Sequence, residues 1–278
     1  MKYSEKVKQL CKEYRVYPEK TRGQHFLIDD QYVKRMVDAA GITKNDVVVE
    51  VGPGWGILTE ELMRRARKVI AIEIEEKMAA HLERVILSEA KDPVRAKATI
   101  VPRDSSSRQV GTQNDSGFEL LHGDVRRFWD TMPTEPYHVI ANIPYHITSQ
   151  IIRGFLEKTP RPPEQMVLMI QNEVADRIVA RPGDMTMLAL SVQWYGKPKK
   201  IFRVPRGAFW PPPEVDSAVI QITDIKRPPP EETKAVLTLA KRAFANKRKQ
   251  LSSSLGIASK ARPQELSIAD WHAFIPKT

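Results

Sequence analysis

Cysteine is all but missing from this chain: Cys11 is the single one in 278 residues. It can form no internal disulfide, which fits a reducing, cytoplasmic setting, and a cysteine zinc site is ruled out. The six histidines have no metal-ligand spacing, so no metal centre is expected. No apolar run reaches the roughly 18 residues of a membrane-spanning helix, so no membrane association is expected. The opening Met1-Lys2-Tyr3-Ser4-Glu5-Lys6 has no apolar signal core. Acids are outnumbered by bases, 34 to 44, leaving a net charge of +10 and a pI near 9.6. That balance favours nucleic acid as a partner.

The basic excess is clustered. Lys197, Lys199, Lys200, Arg203 and Arg206 share one acid-free stretch, and Lys241, Arg242, Lys247, Arg248 and Lys249 another. A solvated face is the ordinary explanation of such runs, but two of them on one basic chain favour nucleic-acid binding. The length suits one large domain, or one and a half, with a substantial core.

Asp46 to Val51 is a β-branched run typical of a buried parallel strand. It runs into Gly52-Pro53-Gly54-Trp55-Gly56 and a helical pattern from Ile57 to Ala66. Glycines let the main chain turn sharply and admit a ligand close to it, and the helix start offers free amide donors. A second apolar run, Val69 to Ile72, ends in Glu73, placed to accept hydrogen bonds from a ribose diol. This pair of features points to an adenosine-containing cofactor. The G-x-G-x-G spacing favours S-adenosylmethionine over NAD. Asp124, after the strand Phe118 to Leu121, is placed to accept from the amine of the cofactor's adenine, or simply caps a tight turn.

Asn142-Ile143-Pro144-Tyr145 closes the apolar run Tyr137 to Ala141 and precedes a helix from about Ile147 to Leu156. Ligands of open α/β sheets bind at such carboxyl ends. The Asn142 side-chain oxygen and the Pro144 carbonyl can hold the two hydrogens of a planar amine, and Tyr145 can stack on its base. A strand-end turn with a buried tyrosine explains the same four residues. Met166 to Ile170 is a further buried strand. Lys199 to Val204 and Ser217 to Ile222 look like a hairpin-like pair at the sheet edge. Between them Phe209-Trp210-Pro211-Pro212-Pro213 reads as a rigid loop exposing aromatics beside a basic cluster, a single-strand recipe. Residues 88–117 look like a mobile insert. Arg227 to Pro230 reads as a linker into a small helical unit, giving a catalytic domain of 1–225 and a C-terminal domain of 226–278. Gln24-His25 before Phe26-Leu27 reads, from the residues alone, as an ordinary loop.

Several pieces, in this order, resemble the ribosomal RNA adenine dimethyltransferase family. They are Gly23-Gln24-His25-Phe26-Leu27, Glu50-Val51-Gly52-Pro53-Gly54, Asn142-Ile143-Pro144-Tyr145, Gln171-x-Glu173-Val174-Ala175 and Phe209-x-Pro211-x-Pro213-x-Val215-Asp216-Ser217. The resemblance spans about 20–255 apart from the insert. It implies an α/β, Rossmann-like methyltransferase domain with a small helical C-terminal domain. It also implies methyl transfer from S-adenosylmethionine to adjacent adenosines near the 3′ end of small-subunit rRNA, free or in a pre-ribosomal particle. Carried over by position, His25 and Leu27 line the methionine end of the cofactor with Asn142 nearby, and Gly52 and Gly54 pass close to it. Glu73 holds the ribose and Asp124 the adenine amine. Asn142, Pro144 and Tyr145 present the target amine, and Phe209 helps sandwich the base. His146, Ser149-Gln150, Asn172 and Asp184-Met185-Thr186-Met187 depart from the family pattern. A large-subunit branch conferring antibiotic resistance and a non-enzymatic assembly factor are the alternatives. A monomer acting in the cytoplasm is expected.

Overall fold

Apolar residues spaced for one helical face start the chain: Val7, Leu10 and Cys11 lie along one side of α1 (Tyr3–Glu13) and are buried. The computed structural model describes residues 2–18, 24–89, 99–101 and 117–275. A two-residue strand, β1 (Phe26–Leu27), precedes α2 (Asp30–Ala40), whose N-cap Asp29 accepts from the Gln31 N–H at 3.0 Å. The valine run forms β2 (Val47–Val51), buried throughout. There follow α3 (Ile57–Arg65), β3 (Lys68–Glu73), α4 (Glu76–Glu89), β4 (Thr99–Val101) and β5 (Gly117–His122). Then come β6 (His138–Asn142), α5 (Thr148–Glu157), β7 (Gln165–Gln171), α6 (Asn172–Ile178) and α7 (Met187–Gln193). The chain continues through β8 (Lys197–Val204), β9 (Phe209–Trp210), β10 (Ser217–Thr223), α8 (Pro230–Phe244), α9 (Leu251–Leu255) and α10 (Ile268–Ala273).

Eight strands form the main sheet in the order β4-β5-β3-β2-β6-β7-β10-β8. The first five pairings are parallel, and β10 joins β7 and β8 antiparallel. This is the expected Rossmann-like arrangement, with the edge pair where the sequence put it. Successive side chains of a strand point to opposite faces. Val47, Val49 and Val51 accordingly enter one apolar cluster with α5 and the C-terminal helices, while Val48 enters the other, with α1 to α4. Strand order reverses between β2 and β6, so their carboxyl ends diverge there and open a crevice.

Three features differ from the expected outline. Of the insert expected at 88–117, Ser88 and Glu89 end α4, 99–101 form β4 parallel to β5, and Gly117 begins β5; the remainder lies outside the described residues. Phe26–Leu27 and Phe209–Trp210 pair antiparallel, so two segments taken as loops form a small second sheet. The Arg227 expected in a linker is fixed instead. It donates from Nε to the Leu156 carbonyl at 3.1 Å and from a terminal nitrogen to that of Thr159 at 2.9 Å. Val236, Ala240, Ala243 and Trp271 of the C-terminal helices share one apolar cluster with the sheet.

Candidate active site

The crevice at the sheet reversal holds a cavity of about 340 Å³, lined by the β2–α3 loop, the end of β3, Asp124 and the Asn142 motif. Two of its glycines are required by their backbone conformation. Gly52 and Gly54 have φ of 68° and 58°, where a side chain is strained. A Cβ on Gly52 would lie 3.7 Å from the Pro144 ring, and one on Gly54 3.3 Å from the Phe26 ring. The glycine loop thus abuts both other motifs that border the cavity.

Glu73 ends β3 and is 4 % exposed. One carboxylate oxygen accepts from the Gly54 N–H at 3.0 Å and the other from the Glu75 N–H at 2.8 Å. Burial raises its pKa, against the pull of these donors. Glu73 therefore locks the glycine loop as well as facing the cavity. Beside it lies a residue the sequence reading assigned no role, Glu50, 1 % exposed and accepting from the Thr59 hydroxyl at 2.7 Å. Its pKa is pushed up to about 8, first by burial and also by the nearby Glu73. An acid inside an unbroken valine strand was the available signal. Ile74, 59 % exposed at the cavity, is a second residue passed over.

Asp124 borders the cavity but its carboxylate is engaged. It accepts from the Arg126 N–H at 2.9 Å and from Arg126 Nε at 3.0 and 2.9 Å. The Arg126 guanidinium is the main cause holding its pKa below the ordinary value. The turn-capping alternative for Asp124 is therefore present in the structure.

The Asn142 motif is held from three directions. Asn142 Nδ2 donates to the His25 carbonyl at 3.3 Å, and the Ile143 N–H donates to the Met169 carbonyl at 3.1 Å. The Tyr145 hydroxyl and Ser217 Oγ are 2.6 Å apart, and burial raises the Tyr145 pKa. The Pro144 carbonyl already accepts from the Ile147 N–H at 3.2 Å, and the Thr148 hydroxyl lies 3.5 Å from it and 3.2 Å from the Tyr145 carbonyl. His25 stacks on Tyr145 with ring centroids 5.7 Å apart and 28° between planes, and its Nδ1 is 2.8 Å from the Pro211 carbonyl. Leu27 lines the cavity and is otherwise buried.

Phe209 is the exception. It was expected to offer a face to a base, but it is 2 % exposed and packs in the apolar cluster with Leu27 and Ala208. The cause is strand pairing: Phe209 lies opposite Leu27 and turns inward, while Trp210 alternates to the partly exposed side. Phe209 does not line the cavity.

The two basic clusters also differ. Lys197 pairs with Asp224 at 2.8 Å, Lys200 with Asp176 at 2.6 Å and Arg203 with Asp216 at 2.6 Å. The acid-free stretch thus borrows acids from elsewhere in the chain. Lys241, Arg242, Lys247, Arg248 and Lys249 are exposed, and among the described residues no carboxylate pairs with them. Among the described residues no helix is long and apolar enough to cross a membrane, and no group of side chains could hold a metal ion.

Comparison with known proteins agrees with this geometry. The family model described as ribosomal RNA adenine dimethylase matches residues 18–271. A Dehalococcoides mccartyi protein named ribosomal RNA small subunit methyltransferase A is 36% identical, covering 95% of this chain and 90% of that protein. Its namesake from Moorella thermoacetica is 38% identical over 89% of this chain and 82% of its own length. In fold, the crystal structure of a dimethyladenosine transferase from Plasmodium falciparum superposes with a TM-score of 0.69 at 24% identity, covering 89% of this chain and 94% of that one. That of the 23S rRNA methyltransferase ErmE gives 0.65, also at 24% identity, covering 88% and 96%. This chain belongs to the ribosomal RNA adenine dimethylase family.

Proposed function

We propose that this protein dimethylates the exocyclic amines of two adjacent adenosines near the 3′ end of small-subunit rRNA, with S-adenosylmethionine as donor. One observation carries the reading: the Gly52–Gly54 turn, the buried Glu73 and the Asn142–Tyr145 motif meet at one cavity. The residues fit the donor. Two positive-φ glycines keep side chains out of the cleft, a buried carboxylate faces it, and its volume of about 340 Å³ suits a small molecule. Gly52, Gly54 and Glu73 would hold it, with Asp124 shared between the adenine amine and Arg126, and with His25, Leu27 and Asn142 toward the methionine end. When bound, S-adenosylmethionine supplies a methyl group already activated by its sulfonium.

The protein's own work is then positioning and charge complementarity. Asn142 uses Nδ2 on the His25 carbonyl, which leaves Oδ1 to accept one hydrogen of the target amine. The Pro144 carbonyl accepts the other, with the Thr148 hydroxyl turning to the Tyr145 carbonyl, which it reaches at 3.2 Å rather than 3.5 Å. Held so, the amine nitrogen becomes pyramidal and its lone pair is released from the ring for attack. Tyr145 carries the base on its ring. No proton has to be removed before attack, because the amine proton leaves afterwards. Two transfers per base require a pocket that accepts the monomethylated amine.

Residues 1–225 make up the catalytic domain in this reading, and 226–278 a C-terminal domain contacting RNA through its unpaired cations. The names of the relatives at 36% and 38% identity support the small subunit as substrate, and the single cysteine fits a cytoplasmic place of action. The protein acts as a monomer on rRNA or a pre-ribosomal particle. Incubation with labelled S-adenosylmethionine and unmodified small-subunit particles tests this, with naked rRNA and large-subunit particles in parallel and product nucleotides mapped. Dimethyladenosines confined to the small-subunit 3′ end are expected. Transfer to large-subunit RNA alone, or to none, overturns the reading.

A further inference from the structure

Arg126 stands where the cofactor cavity meets the protein surface. Its side chain is 59 % exposed, against 22 % for Asp124, and both residues border the cavity. The three-residue turn that carries it, Val125–Arg127, packs against α5, the helix that follows Tyr145. A guanidinium is a planar fork matched to paired oxygens. Here the fork lies back on Asp124. Nε is 3.0 Å from Oδ1 and 2.9 Å from Oδ2, and a terminal nitrogen also donates to Oδ2. Oδ1 accepts the Arg126 backbone N–H as well, at 2.9 Å, so the turn itself keeps that oxygen occupied. Among the described residues Oδ2 is held by the guanidinium alone.

We propose that Arg126 is a contact for the rRNA backbone that the cofactor releases: the adenine amine takes Asp124 Oδ2, and the freed end of the guanidinium turns to an RNA phosphate at the cavity mouth. Nε and the terminal nitrogen fill the two lone-pair positions of Oδ2, so an amine gains that oxygen by displacing one of them. An exposed pair of this kind is weakly held, because water screens it and a long side chain loses freedom in making it. The fork suits a phosphate as well as it suits a carboxylate. Arg127 beside it is exposed and, among the described residues, has no carboxylate partner, so the released cation joins one already free. Cofactor and RNA are thereby coupled, each raising the affinity of the other by the same factor. The empty protein holds rRNA less firmly than the loaded one.

This inference rests on the proposed reading that the cavity takes S-adenosylmethionine and that rRNA is the acceptor, and the test separates the two. Affinity for unmodified small-subunit particles is measured with and without saturating S-adenosylhomocysteine, for the wild type, Arg126→Gln, Asp124→Asn and the double variant. S-adenosylhomocysteine affinity of each protein without the particle is measured by calorimetry. The loaded wild type should bind the particle about 5- to 10-fold tighter than the empty one, at the low end of couplings between sites. Its slope of log affinity against log salt should steepen by about 0.7–0.9, the share of one phosphate contact. Arg126→Gln should match the empty wild type in both states, with S-adenosylhomocysteine affinity equal to the wild type's or above it. Asp124→Asn should bind the particle about 5- to 10-fold tighter even when empty. The double variant should lose that gain, which separates release of Arg126 from the mere removal of a negative charge. Equal particle affinity of the empty and loaded wild type, coupling that survives in Arg126→Gln, a gain that survives in the double variant, or weaker S-adenosylhomocysteine binding in Arg126→Gln overturns the release and leaves the methyltransferase reading intact. A wild type that cannot bind S-adenosylhomocysteine, or cannot bind the particle, overturns both.

Discussion

Asn142 Nδ2 donates to the carbonyl oxygen of His25 at 3.3 Å across 117 positions of sequence. An amide has one acceptor oxygen and one donor nitrogen, so this bond decides which end faces the target. With the nitrogen committed, the oxygen is left for the amine that the proposed function places there. A rotated amide would present N–H groups to another N–H group.

Replacing Asn142 by Ala is therefore expected to lower kcat by roughly 100- to 1000-fold, the size of effect seen when one preorganised transition-state contact is removed. S-adenosylhomocysteine affinity should fall far less than kcat, because Gly52, Gly54 and Glu73 carry most of the proposed cofactor contact. Single-turnover rates and calorimetry on the same variant check this; retained turnover would sink the role of Asn142.

Glu73 has a double task, facing the cavity and holding the Gly54 and Glu75 amides. Glu73→Ala leaves both amides without an acceptor and removes a charge from the cofactor side. Hydrogen bonds to charged groups contribute about 1.5–3 kcal/mol, so cofactor affinity should fall by about 10- to 100-fold. Glu73→Gln should fall between that variant and the wild type. An unaltered dissociation constant in Glu73→Ala would remove Glu73 from the binding site.

Glu50 predicts a pH dependence. Its pKa rises from 4.5 to about 8 on folding, because burial disfavours the carboxylate. Between these two values the unfolded chain is ionised and the folded chain protonated, so the folded state binds more protons. Stability from this group is complete below the unfolded pKa and is lost as pH rises through the folded one. Glu50→Gln stays neutral and keeps an acceptor for Thr59. Its melting temperature should exceed the wild type's by several degrees at pH 9 and match it at pH 4, for a gain of about 1–3 kcal/mol. A difference that does not vary with pH would contradict the buried, protonated state.

Lys247, Arg248 and Lys249 predict a salt effect. Each phosphate contact contributes roughly 0.7–0.9 to the slope of log affinity against log salt. Replacing the three by Gln should flatten that slope by about 2–3 for unmodified small-subunit particles, with S-adenosylhomocysteine binding unchanged. The same change at Lys197, Lys200 and Arg203 should flatten it less, because those cations already have carboxylate partners. Equal slopes for the two triple variants would show that the ion pairs open on binding.

Much of this molecule is written in short-range patterns. The valine run, the glycines before a helix start, Glu73 closing an apolar run and Asn142 closing another each sit within a few residues, so the chain alone determined the parallel sheet and the strand ends at which Gly52, Glu73 and Asn142 border one cavity. Tertiary structure decided what depends on distant partners. Pairing of Phe209 with Leu27 turned an expected stacking ring into core, and His25, 186 residues before the Pro211 carbonyl that its ring meets, stacks on Tyr145. Asp224, Asp176 and Asp216 pair with three of the five cations in a stretch that contains no acid of its own, whereas among the described residues the second cluster has no carboxylate partner. Side-chain burial, ring stacking and ion pairing act through space within a few ångströms, and no local pattern reports which remote segment folding brings that close.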